Sequence, residues 1–183
     1  MNTADLIRRL ENLIRFGTIA EVDTAAARCR VKTGGITTAW LPWFAERAGQ
    51  DSTWEAPSIG EQCVVFCPSG EPAVGVVMVG LYSEQFPAPD NSAARRRRKY
   101  RDGAVIDYDT GTKTLTATLP AGGKIIATAP GGFDLTGNVA IKGNVAVTGK
   151  VDATADVTAG GVSVMGHKHG GVARGNAQTD APQ

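Results

Sequence analysis

The sequence predicts an all-β protein with one short N-terminal helix: a small antiparallel barrel, followed by a triangular β-helix that several chains build together. Three observations carry this fold class. Five short alternating or β-branched runs, separated by turn residues, crowd between positions 17 and 83. A six-residue repeat of Gly, Asn and Val follows further along the chain. Trp40, Trp43 and Trp54 all lie in the first third of the 183 residues, and no aromatic residue follows Phe133.

The first element is a helix over residues 3–15. Thr3 caps it, Leu6, Ile7, Leu10, Leu13 and Ile14 form one apolar stripe, and Phe16-Gly17 ends it. A helix this short is marginal alone, so its stripe has to pack on its own domain or on neighbouring copies. Strands are then expected at 17–22, 28–32 and 37–43, with Cys29 and Val31 on one face and Pro42 marking an edge or a strand end. Residues 46–57 read as a polar loop. Two more β-branched runs, 62–67 and 73–81, flank a Pro68-Ser69-Gly70-Glu71-Pro72 turn. Five such strands suit a barrel of the OB type. Cys29, Cys63 and Cys67 are odd in number and lack C-x-x-C spacing, and they read as buried thiols.

Residues 84–102 read as a linker that carries Pro87, Pro89 and a basic cluster. Arg95, Arg96, Arg97, Arg98, Lys99 and Arg101 are six of the 19 basic residues, against 18 acidic ones, so the near-neutral total conceals one basic knot on an acidic body. The knot is expected to meet acids such as Asp102, Asp107 and Asp109. A nucleic-acid patch would need stacking aromatics, and only Tyr100 is interleaved, so no nucleic-acid partner is expected. Strands at 104–108, 114–119 and 124–128 follow, separated by Asp-Thr-Gly and Ala-Gly-Gly turns. No secretory signal is legible, and no run reaches the roughly 20 apolar residues of a transmembrane helix.

Gly137, Gly143 and Gly149 recur at a spacing of six, as do Val139, Val145, Val151 and Val157, with Ile141, Val147, Ala153 and Ala159 two places behind. Residues two apart in a strand share a face, so each unit turns one Val and one smaller or β-branched residue inward, and Gly or Asn makes the corner. A segment this poor in apolar bulk is either disordered or ordered by association with other chains. Wound from one chain, about three such units make a turn, and four would form too little core. Wound from three chains, four units each give a continuous thin core of stacked valines. Length therefore favours an intertwined trimeric triangular β-helix. Pairing between chains would also cover the strand edges.

Beyond the repeat, Gly166-His167-Lys168-His169-Gly170-Gly171-Val172 holds the only two histidines of the chain. The barrel, the Val/Gly repeat, this motif and the tail at 175–182 together resemble the baseplate assembly protein V family of contractile-tailed phages, over essentially the whole chain. R-type bacteriocins carry a similar spike. The resemblance implies a homotrimeric central spike at the tip of a tail baseplate, in a virion or bacteriocin particle assembled in a host cytoplasm. It implies contacts with a baseplate hub at the N-terminal domain and with other baseplate proteins, and an apex that pierces the outer membrane of a target cell when the sheath contracts. It implies one iron ion at the apex, bound by His167 and His169 of three chains. Imidazole also suits zinc, but six nitrogens exceed the four ligands zinc prefers. On a strand, His167 and His169 would face the same side with Lys168 pointing away. Their second nitrogens would be anchored by backbone carbonyls or by Asp180.

The expected organisation is then helix 1–16, barrel 17–83, linker 84–102, strands and β-helix 103–165, and apex 166–183, with no enzymatic role and no stretch long enough to house a lysozyme domain. Two other functions set the contrast. A hexapeptide-repeat acyltransferase would need more coils and a catalytic histidine within them. An OB-fold binder of single-stranded nucleic acid would carry a disordered tail.

Overall fold

A computed structural model of the chain describes residues 2–168, 170, 171 and 175. It is mostly sheet with one short helix, and it divides into two units, up to Ile126 and from Ala127 onward.

Helix α1 spans Thr3–Asn12. Asn2 caps it in place of Thr3, its side-chain oxygen accepting from the Ala4 N–H at 3.1 Å. The helix also ends earlier than the apolar stripe suggests. Strand β1, Ile14–Asp23, begins at once, because Ile14 and Phe16 pair with Phe66 and Val64 of strand β4, Gln62–Phe66. The Leu13 carbonyl accepts from Cys67 N–H at 2.8 Å, which sets the corner. A ladder with a distant strand overrides local helical periodicity here.

Strand β2, Arg28–Thr33, and strand β5, Val76–Leu81, complete the main antiparallel order, with a two-residue strand β3, Ile36–Thr37, on the outer side of β2. The third expected strand is thus much shorter than 37–43. The rest of that run closes the barrel instead. Leu41 exchanges backbone hydrogen bonds with Cys29 at 2.8 and 2.9 Å, and Val77 then donates to Pro42 O and accepts from Phe44 N–H, each at 2.9 Å. Pro42, lacking an N–H, sits where only its carbonyl is used. The strand expected at 73–81 starts later, because Pro72–Val74 forms a tight 3-10 turn.

Inside the barrel lie Ile19, Cys29, Val31, Leu41, Cys63, Val65, Cys67 and Val77, with Val22, Trp43 and Val79 packed against them. The three cysteines are buried free thiols, as their spacing suggests. Burial raises Cys29 to about 11, and burial, with Cys29 and Glu61 nearby, raises Cys63 to about 12.

The stretch expected to be a linker contains a strand. Strand β6, Arg95–Lys99, pairs with β7, Val105–Asp109, which pairs with β8, Thr114–Thr118. Pairing opposite acids makes this possible. Alternation sends Arg95 and Arg97 to one face, where Arg95 reaches Asp90 at 2.8 Å and Asp109 at 3.6 Å, and Arg97 reaches Asp90 at 3.1 Å and Asp107 at 2.9 Å. Asp102, expected among those acids, instead accepts from Ala104 N–H at 3.0 Å. Arg98 pairs with Glu55 and lies 5.8 Å from the Tyr100 ring centroid. The strand expected at 124–128 is absent, and β6 takes the third place in the sheet.

In the second unit, residues 127–156 pair with no strand among the described residues. Gly137, Gly143 and Gly149 have φ of 132°, 156° and 145°, so the six-residue sequence spacing is matched by a corner conformation that side chains disfavour. Val139, Val145 and Val151 are exposed in the single chain. The fourth unit of the repeat departs from the others: Thr158–Ala159 (β9) folds back on Val162–Ser163 (β10) across a Gly160-Gly161 turn.

Candidate metal centre

The β9–β10 hairpin is the scaffold of the histidine motif. Its two-residue turn has φ of 57° at Gly160 and 84° at Gly161, the primed geometry that matches strand twist. Asp156 stands just before β9 and ties the hairpin to the residues after β10. Its carboxylate accepts from Met165 N–H at 3.0 Å. The Ser163 hydroxyl, then the Met165 N–H, hold that carboxyl below the usual carboxylate range. Val164 N–H donates to Val157 O at 2.9 Å, extending the hairpin by one rung.

Ser163 then organises a turn. Its hydroxyl accepts from Gly166 N–H at 2.7 Å, and its carbonyl accepts from His167 N–H at 3.2 Å. The His167 ring closes on the same carbonyl: Nδ1 lies 3.0 Å from Ser163 O and 3.3 Å from Val164 O. A carbonyl only accepts, so Nδ1 carries the proton, and the lone pair of the ring is then on Nε2.

This arrangement fits a metal ligand. A ligating imidazole usually donates through one nitrogen to a carbonyl or carboxylate and presents the other to the ion. Of the two anchors expected for the histidines, the backbone carbonyl is the one found for His167; Asp180 lies outside the described residues. His167 itself follows a turn and is not in a strand. His169 lies outside the described residues, so its expected position beside His167 is not part of this geometry. Among the described residues, no group of three or more His, Cys, Asp or Glu side chains could hold a metal ion.

Asp156 and Ser163 are the contributors that sequence reading missed. The Gly160-Gly161 pair, with Thr158-Ala159 before it and Val162 after it, was a readable hairpin signal. What it could not tell was that an acid before the hairpin would reach the turn after it.

Two regions match known families. Residues 15–82 match the type VI secretion system/phage-baseplate injector OB domain, and residues 161–183 match the GpV apex motif. The chain is 44% identical over 135 residues to the spike protein of Escherichia phage P2, an alignment covering 70% of this chain. That alignment takes in 64% of the length of the relative, a little under two thirds.

Proposed function

We propose that this chain, which belongs to the phage baseplate assembly protein V family, forms the homotrimeric central spike at the tip of a contractile tail. The observation that carries the reading is an injector OB domain and an apex motif bracketing a valine repeat whose side chains are exposed in the single chain. The similar phage protein is itself named a spike.

In this reading the barrel and α1 seat the protein on a baseplate hub and neighbouring baseplate proteins. The exposed valines of three chains pack on one axis, and the Gly corners let each chain turn around it. Three tips would bring three copies of His167 and His169 together to hold one ion, and six imidazole nitrogens would favour iron over zinc, which prefers four ligands. When bound, the ion supplies a structural cross-link. His167 contributes a ring already oriented by the Ser163 carbonyl. With all positions filled by protein, such an ion offers no open site for catalysis, and the role is mechanical: stiffness, a narrow cross-section and an end that resists fraying. Sheath contraction supplies the work that drives the apex through a target outer membrane.

Metal analysis combined with mass in solution tests this directly. One iron per three chains is expected, in a trimer. Replacing His167 and His169 by Ala should remove the metal and leave the trimer, since the valine core and barrel remain. A metal-free monomer would overturn the reading.

A further inference from the structure

We infer that Asp156 is a positioning residue for the apex metal: acting through Ser163 and the 163–167 turn, it holds His167 in the tautomer and orientation a metal requires. The inference rests on the apex ion proposed above and adds a residue eleven positions upstream of the ligand.

The geometry forms a short relay. The Asp156 carboxylate accepts hydrogen bonds from the Ser163 hydroxyl and from the Met165 N–H, the latter at 3.0 Å. With its O–H donating to Asp156, the Ser163 hydroxyl oxygen accepts from the Gly166 N–H at 2.7 Å. Those bonds pin the residues on either side of the Ser163 carbonyl. That carbonyl faces the His167 backbone N–H at 3.2 Å and the Nδ1 at 3.0 Å. Without the carboxylate, the Met165 N–H loses its acceptor and the Ser163 hydroxyl can rotate away from Gly166. The turn then loosens, and the imidazole gains rotamers and the Nε2–H tautomer, in which the lone pair points the wrong way.

Charge adds a second effect. A hydrogen-bonded carboxylate polarises the groups that donate to it, and along a chain of hydrogen bonds each acceptor becomes stronger. Met165 N–H shares its peptide group with the Val164 carbonyl, so its bond to Asp156 firms that carbonyl as an acceptor 3.3 Å from His167 Nδ1. The hairpin is what brings Asp156 to this turn at all: β9 and β10 with the Gly160-Gly161 turn fold residues 156 and 165 onto each other.

The test uses the full-length chain, purified and loaded with iron, beside its Asp156→Ala, Asp156→Asn and His167→Ala forms. Mass in solution, metal per chain and the rate at which a chelator strips the metal are read on each. Asp156→Ala is expected to keep the wild-type mass and to release metal about 10- to 100-fold faster, the range typical of lost outer-sphere partners. Asp156→Asn keeps an oxygen that accepts from Ser163 and Met165, and should recover most of the difference. His167→Ala should hold no stable ion. Asp156→Ala with a wild-type release rate overturns the positioning role and leaves the apex ion standing. A wild-type chain that takes up no metal overturns the apex ion, and the positioning role with it. If Asp156→Ala alters the mass, the decision passes to the stripped His169→Ala chain, whose single imidazole is observed by 15N NMR. The Nδ1–H tautomer is expected there, and a predominant Nε2–H tautomer overturns the inference.

Discussion

Asp90 illustrates how single side chains set behaviour here. It faces both Arg95 and Arg97, at 2.8 and 3.1 Å, and the Ser92 N–H, followed by Arg95, holds its carboxyl below the usual carboxylate range. Asp109 is lowered too, chiefly by the Thr112 and Gly111 N–H groups. Folded values below unfolded ones mean that both acids stabilise the fold above the unfolded carboxylate range, near pH 4, and that this is lost as pH falls through the lower folded values. The pair is solvent-screened, so the effect is modest. An NMR titration should show the Asp90 carboxyl moving upward in Arg95→Ala, towards the ordinary carboxylate value. An Asp90 midpoint unchanged by that substitution would remove Arg95 as a cause.

At the scale of elements, α1 is held by a close approach and not by its stripe. Leu6, Ile7 and Leu10 stay exposed, at 46%, 50% and 57%, so they do not anchor the helix to its own barrel. The anchor is the Pro68–Gly70 turn: Gly70 has a φ of 71°, and a Cβ there would overlap the Arg9 backbone. Gly70→Ala therefore combines an unfavourable backbone with a clash against helix backbone, and should destabilise by about 1–3 kcal/mol. Urea unfolding followed by far-ultraviolet circular dichroism would measure it, and faster amide exchange confined to residues 3–12 would locate it in α1. The β6 strand makes a related point. Four arginines in sequence read as part of a linker that meets acids, and alternation places Arg95 and Arg97 against Asp109 and Asp107 of the neighbouring strand, which turns the stretch into a ladder of opposite charges.

At the scale of the whole molecule, the question is what the exposed valines are for. Val145 is 64% exposed in the single chain. An isolated surface position of that kind tolerates substitution within about 0.5 kcal/mol. On a three-fold axis, the same position would bury three carboxylates against one another, which is strongly unfavourable. Val145→Asp therefore separates the two arrangements. Analytical ultracentrifugation should show loss of the trimer, while near-ultraviolet circular dichroism of Trp43 and Trp54, whose rings lie 5.6 Å apart, stays unchanged. A variant that remains trimeric would place Val145 away from the axis.

Features that depend on local chemistry were legible in the residues alone. The β-branched runs became β4 and β5, Cys29 and Val31 turned inward together, and glycines spaced by six took up corner conformations. The motif around His167 was equally legible, because two histidines in 183 residues stand out without any structure. The remaining features each depend on a partner distant in sequence. Phe66 turned Ile14 from helix to strand, Val77 drew residues 42–44 across to close the barrel, and Asp107 and Asp109 made a strand of the basic run. Asp156 reached the turn before His167 for the same reason, since hydrogen bonds form between groups that folding brings within 3 Å, whatever separates them along the chain.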